Sequence, residues 1–215
     1  MYSQLGQDLW VLESTQFKRN GYFIDIGAYD GVFHSNTYLL EKDYGWNGVC
    51  VEPSDKYNDL VVNRKCTTCN MLVYSHDNLC IEFRQTLNNF ELSGIPSYFK
   101  NDDHTKNRSY NYISKKIPTI SLTTLCEVNS APSVIDYLSI DTEGSELLIL
   151  QYHDFDKYRF NYISIEHNRC SDYRNDIKNF MNSKNYYLDT SDRFITINNN
   201  NDTNFDDWYT YKGLV

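Results

Sequence analysis

Four short apolar runs in this chain each carry a carboxylate at their C-terminal end: FIDIG at 23–27, GVCVE at 48–52, YLSID at 137–141 and ISIEH at 163–167. Runs of this length, bounded by turn residues, predict strands buried on both faces. Helical spacing fills the gaps, over 4–18, 36–44, 55–64, 145–152 and 173–184. Ser35 and Ser54 are suited to N-caps, and Gly45 to a C-cap. Further strands are expected at 69–74, at 79–85 as one hairpin arm, at 118–125 turning into a short helix, and once or twice within 186–198. Alternation of strand and helix implies a doubly wound, mainly parallel sheet with helices on both faces. Such sheets bind ligands at the carboxyl ends of their strands, where this sequence places its acids. With 215 residues, 40% of them hydrophobic and 23% charged, the chain suits a single globular domain. Residues 86–116 are polar, aperiodic and too long for an ordinary connector, so they are expected to form a lid or insertion.

The acids and glycines narrow the ligand. Asp25 and Asp30 flank the first loop, Glu52 follows the second strand, Asp141 and Glu143 a later one, and Glu166, His167 and Asn168 another. Gly27 and Gly31 would let backbone approach a ligand. Ala28 and Tyr29 follow Gly27, so the loop fails the G-x-G-x-x-G pattern of a dinucleotide site, and no phosphate-binding Gly-Lys-Ser/Thr is present. Glu52 lies about 20 residues beyond Gly31, where the second strand of such a sheet offers a carboxylate to ribose hydroxyls. A ribose without pyrophosphate, carrying an amino-acid tail, describes S-adenosylmethionine.

The segments SQLGQD (3–8), GYFIDIGAYDG (21–31), SNTYLLEKDYGWNGVCVEP (35–53), NR (63–64), IDYLSIDTEGSELLIL (135–150) and ISIEHN (163–168) together resemble the FkbM family of S-adenosylmethionine-dependent methyltransferases. The resemblance implies a class I methyltransferase (Rossmann-like) fold with an antiparallel last strand. It also implies O-methylation of a hydroxyl on a sugar, glycan or small metabolite. Carried over by position, Asp25, Gly27, Ala28, Asp30 and Gly31 form the cofactor loop. Asn36 and Thr37 open a helix whose amides would face the cofactor carboxylate, Glu52 with Pro53 takes the ribose, and Ser75 or His76 borders the adenine. Asp141 lies by the methionine amino group and the reaction centre. The candidates for the catalytic base are His167, Glu166 and Glu143, and strand alternation allows only one of His167 and Glu166 to face the site. Asp141, Glu166 and Asn168 could also hold a divalent cation, an alternative left open and not favoured.

Other features bound the function. A net charge of −9 argues against a nucleic-acid partner, as does the lack of a Lys-Asp-Lys-Glu set. Lys100, Lys106, Arg108, Lys115 and Lys116 nevertheless form a basic cluster in the insertion, which keeps an RNA or cap methyltransferase as an alternative beside a catalytically inactive binding protein of the same fold. The opening MYSQLGQDLW lacks a signal-peptide pattern, and no apolar run reaches membrane-spanning length, so a cytoplasmic enzyme is expected. The six cysteines then read as free thiols, with Cys66-x-x-Cys69 an isolated half-motif for zinc. The Asn107 and Asn201 glycosylation patterns and the Asn-rich run at 196–204 are assigned no function.

Overall fold

The computed structural model describes residues 2–99, 104–190 and 205–214. In chain order these form α1 (Gln7–Ser14), β1 (Tyr22–Ile26), α2 (Tyr38–Tyr44), β2 (Asn47–Val51), α3 (Tyr57–Asn63), β3 (Thr67–Cys69), β4 (Leu72–Tyr74) and β5 (Cys80–Thr86). There follow α4 (Thr105–Ser109), β6 (Tyr112–Ser121), α5 (Leu122–Val128), β7 (Val134–Ile140), α6 (Glu146–Gln151), β8 (Arg159–Glu166), α7 (Ser171–Ser183), β9 (Tyr186–Leu188) and β10 (Asp206–Tyr211).

Seven strands make one sheet in the order β3-β2-β1-β7-β8-β10-β9. The first five are parallel, and β10 runs antiparallel to both β8 and β9. Strand alternation sorts the core. Ile24, Ile26, Val49, Val51, Leu138, Ile140, Ile163 and Ile165 pack against Leu122 and Leu125 of α5, Ile149 and Leu150 of α6 and Ile177 and Met181 of α7. Phe23, Cys50 and Tyr137, from the other face, meet Trp10, Val11 and Leu12 of α1, Leu40 of α2 and Leu60 of α3. The order reverses between β1 and β7, and at such a switch point the loops on either side diverge and leave a crevice.

Three elements differ from the sequence expectation. The run 69–74 is not one strand. It breaks at Asn70, whose side-chain N–H donates to the Glu52 carbonyl at 2.7 Å, so β3 stays in the main sheet while β4 enters a second, three-stranded sheet ordered β4-β6-β5. The hairpin partner of β5 is β6, which begins at Tyr112 inside the segment read as aperiodic. The insertion is thus carried between two paired strands. The closing strands are β9 and β10, the expected antiparallel last strand, which lies at 206–211 rather than within 186–198. The remainder of 186–198, from 191 on, the run 196–204, Asn201 and Lys100 lie outside the described residues.

Candidate functional site

A cleft of ≈ 480 Å³ opens at the carboxyl edge of the sheet, of a size that suits a nucleoside-bearing ligand. Its walls are the β1–α2 loop, the ends of β2, β7, β8 and β10, residues 89–95 of the insertion, and Gln4 and Gln7 from the N-terminal segment. Gly27 holds φ at 86°, and a Cβ there would lie 1.9 Å from the Asp141 carbonyl oxygen. The amides of Gly27 and Ala28 both donate to the Val51 carbonyl at 3.0 Å. The glycine therefore exists so that the β1 loop can pass against the end of β7, which brings Asp141 to the cleft. Gly31, also at positive φ, is required by packing against Leu60 and Arg64, away from the cleft.

Glu52 is buried at the end of β2. Its two oxygens accept the amides of Tyr29 at 2.9 Å and Ser54 at 2.8 Å, which fixes the carboxylate edge. Burial raises its pKa to about 6 against those hydrogen bonds. Asp25 points into the layer of α2 and α3, where it accepts the Thr37 hydroxyl at 2.5 Å, and burial raises its pKa.

On the other side of the switch point lies a carboxylate cluster. Asp141, Glu143 and Glu166 each bring an oxygen within 4.8 Å of the others. Asp141 is open to the cleft but walled by protein, and this desolvation raises its pKa to about 6. Glu166 is pushed well above its ordinary range by burial, then by Asp141 and Glu143, and it shares a hydrogen bond with Asp141. Two carboxyls so placed hold one proton between them, with Glu166 donating. Glu143 takes an ion pair from the buried Arg108 of α4, and the Asn168 amide donates to Glu143 at 3.1 Å and Glu166 at 3.2 Å. Arg108 and Asn168 thus already supply positive charge and N–H donors that a cation would replace, so the donor set suits a proton-sharing pair better than a metal.

The DTEGSE turn holds this cluster in place. Glu146 is buried, and its carboxylate accepts the amides of Thr142 at 2.8 Å and Gly144 at 3.0 Å and the Tyr173 hydroxyl at 2.7 Å. Glu143 sits at φ 60° within the turn. Asp206, paired across β8–β10 with Glu166, also lines the cleft and accepts Gln7 Nε2 at 2.5 Å. Glu146, Arg108, Gln7 and Asp206 are site residues that sequence reasoning missed. The second glutamate of the DTEGSE segment and the Gln of SQLGQD were the available signals.

Of the sequence-derived set, Asp25, Gly27, Ala28, Asn36, Glu52, Pro53, Asp141, Glu143, Glu166 and Asn168 line the cleft. Asp30 does not. It folds back to accept the amides of Val32 at 2.9 Å and Phe33 at 2.8 Å, closing the turn. The amides of Thr37 and Tyr38, at the start of α2, are taken by Ser35 Oγ at 3.3 and 3.1 Å, and the Thr37 hydroxyl serves Asp25. Ser75 and His76 follow β4 into the second sheet, and Met71, Leu72 and Val73 line the cleft in their stead. His167 faces the opposite side of the sheet from Glu166, with Nε2 3.7 Å from Asp207, and its pKa falls to about 4 through burial. Two members of the basic cluster are engaged within the protein: Arg108 is buried on Glu143, and Lys115 reaches Asp55 at 2.5 Å.

The methyltransferase FkbM domain model matches residues 25–188 of this sequence. The chain belongs to the FkbM methyltransferase family. Its sheet, with an antiparallel strand beside β8, is the class I methyltransferase fold. Among solved structures, the chain is similar to a human methyltransferase 10 domain containing protein at 12% identity, with 97% of this chain and 81% of that one covered and a TM-score of 0.42. It is also similar to the METTL16 MTase domain at 13% identity, 97% and 67% coverage and a TM-score of 0.48. No curated protein sequence matches it. Membership of the FkbM family brings S-adenosylmethionine as the general methyl donor. The cleft fits that group: a fixed carboxylate at the end of β2, an acidic far wall for a cationic ligand, and at Asn36 a buried Oδ1 without a partner among the described residues.

Crowded carboxyls give the protein a pH signature. Glu166 is raised well above its ordinary range and Asp206 to about 7, mainly by burial and then by neighbouring acids. The folded state therefore holds protons that the unfolded chain has lost, and stability falls as pH rises through these values. Below about pH 6.5 the buried His153 and His167, both lowered to about 4, oppose this trend, because the unfolded chain then binds their protons. Above it they are neutral in both states. Between pH 6.5 and 7.5 each group still protonated in the fold contributes a slope of up to ~1.4 kcal/mol per pH unit. Calorimetry on the ligand-free protein is expected to show Tm falling by about 3 °C or more across that interval.

Proposed function

We propose that this FkbM family member is an O-methyltransferase acting on a hydroxyl of a sugar, glycan or small metabolite. The observation that carries the reading is the Asp141–Glu166 pair, whose carboxylate oxygens lie within 4.8 Å of each other at the ends of adjacent strands in the cleft wall. A neutral hydroxyl needs its proton removed as it attacks, and a positioned carboxylate does this. Bound S-adenosylmethionine supplies a methyl group already activated by a sulfonium. Glu52 holds the ribose, while Asp25, Asn36 and Asp141 border the amino-acid end. A bound cationic donor would lower the pKa of the cleft carboxyls, so the proton shared by Asp141 and Glu166 would leave to solvent and Glu166 would be free to take the acceptor hydroxyl's proton. Residues 89–95 close the acceptor side and, with Arg108 seated on Glu143, keep water from the reacting oxygen. Six free thiols, two of them with sulfurs 3.6 Å apart, suit the reducing cytoplasm, where we place the enzyme.

The test is a thermal-shift series. S-adenosylhomocysteine is expected to raise Tm and NAD to leave it unchanged; stabilisation by NAD alone would refute the cofactor assignment. Glu52→Gln is expected to weaken S-adenosylhomocysteine by about 10- to 100-fold in calorimetry, since a charged acceptor of a ribose hydroxyl is lost. Methyl transfer to a hydroxyl-bearing compound library identifies the acceptor. EDTA is expected to leave the rate on that acceptor unchanged, and a loss restored by Mg²⁺ would make the carboxylate cluster a metal site.

A further inference from the structure

The Asn63-Arg64 pair has no part in the chemistry above, yet Arg64 is a buried cation with four hydrogen bonds behind the β1–α2 loop. Its side chain is fully buried at the end of α3. Nε donates to Glu41 at 2.6 Å, Nη1 to the Gly31 carbonyl at 3.2 Å and to Ser35 Oγ at 3.4 Å, and Nη2 to Thr37 Oγ1 at 3.0 Å. The Thr37 hydroxyl passes its own hydrogen to Asp25 at 2.5 Å. On the cleft side of Asp25, the Ser139 hydroxyl accepts the Asn36 amide at 3.0 Å. Asn63 adds a bond from its side chain to the Asp30 carbonyl at 2.8 Å. One chain of hydrogen bonds therefore runs from Arg64 through Thr37 to Asp25. The same guanidinium also grips the loop's backbone at Gly31.

The loop from Gly27 to Asn36 is held on its outer side by Arg64, by Asn63 at the Asp30 carbonyl and by a bridge between Ser3 and His34. It contains two non-glycine residues at positive φ, Tyr29 at 51° and His34 at 53°, so its shape is not the one the backbone would choose alone. A planar fork with five donors can hold carbonyl, hydroxyl and carboxylate partners at once, which an ammonium group cannot.

We propose that Arg64 is a positioning residue for the donor's amino-acid end, acting through Thr37 on Asp25 and through Gly31 and Ser35 on the loop that borders it. The proposal rests on the cofactor assignment above for its ligand, and on the hydrogen-bond chain for its mechanism. It makes the effect of Arg64 unequal along the cofactor: the amino-acid end depends on it, and the nucleoside end, held by Glu52, does not.

The experiment compares two ligands on wild type, Arg64→Lys and Thr37→Val, with amide hydrogen exchange across residues 29–36 in the ligand-free proteins. The ligands are S-adenosylhomocysteine and methylthioadenosine, which lacks the amino-acid end. Both variants are expected to weaken S-adenosylhomocysteine by at least about tenfold while methylthioadenosine changes by less than about threefold. In Arg64→Lys, exchange at 29–36 is expected to quicken while exchange in β7 and β8 stays as it was. Equal losses for the two ligands, or no loss for either in a folded variant, overturn the proposal. Thr37→Val removes only one hydroxyl link and keeps the cation, so it decides the matter if Arg64→Lys fails to fold. Wild type that binds neither ligand sinks the cofactor assignment instead; the exchange data then judge Arg64 alone, and unchanged exchange at 29–36 in Arg64→Lys overturns its positioning role.

Discussion

Glu166→Gln is expected to lower kcat by ~10²–10⁴-fold while leaving affinity for S-adenosylhomocysteine within a few-fold of wild type. Glutamine keeps the length of the side chain and can still donate to Asp141, so the geometry of the pair survives, but an amide cannot accept the acceptor's proton. His167→Ala is the control, because alternation along β8 turns His167 toward Asp207 and away from the cleft. Its kcat on the same acceptor is expected to stay within a few-fold of wild type, with stability lowered by ~1–3 kcal/mol because a buried ring is lost and the Arg169 amide loses its acceptor. Single-turnover rates on a confirmed acceptor check both. Full activity in Glu166→Gln would leave the reaction to positioning alone, and a large loss in His167→Ala would mean that β8 is turned over relative to the description above.

Gly27→Ala is expected to be the most damaging small substitution in the chain. The methyl group would sit 1.9 Å from the Asp141 carbonyl oxygen, a backbone atom that cannot swing aside, in a residue held at φ 86°. Left-handed backbone costs a non-glycine residue ~1–2 kcal/mol, and overpacking adds ~1–3 kcal/mol. Urea denaturation should therefore show a loss of ~2–5 kcal/mol, and turnover should fall further because the end of β7, and Asp141 with it, must move. Gly31→Ala is the comparison. Its clash, at 2.7 Å, is with the side chains of Leu60 and Arg64, which can yield, so its loss should be smaller. A Gly27→Ala protein as stable as wild type would mean that the two strand ends are not in contact.

Much of this site could be read from the chain because period and position carry the information. Buried strands ending in acids place Asp25, Glu52, Asp141 and Glu166 at one edge of the sheet from the sequence alone. What could not be read was the direction of each side chain past the strand end. Asp30 and Glu52 are both loop acids, yet one closes its own turn while the other is clamped toward the cleft by the Tyr29 and Ser54 amides. Glu166 and His167 are neighbours that alternation sends to opposite faces, and the sequence does not say which goes where. The break at Asn70 was invisible because a six-residue apolar run looks the same whether it serves one sheet or two. Arg108 read as a surface charge in a polar segment, since nothing local tells a solvated arginine from one that will be buried on Glu143.

The place of β10 has a consequence for how this enzyme can be cut. Residues 206–211 sit inside the sheet, between β8 and β9, rather than at its margin. A fragment trimmed to the matched residues 25–188 would leave β8, with Phe160, Ile163 and Ile165, as a bare parallel edge and β9 without its hydrogen-bonding partner. It would also remove Tyr22, Phe23 and Ile24 of β1 and the whole of α1, which packs in the same core cluster as Tyr137. An unpaired apolar strand flanked by an uncovered face is a template for sheet extension between molecules. The boundary that homology draws around this domain is thus narrower than the unit that can stay dispersed in solution, and expression work should keep both ends.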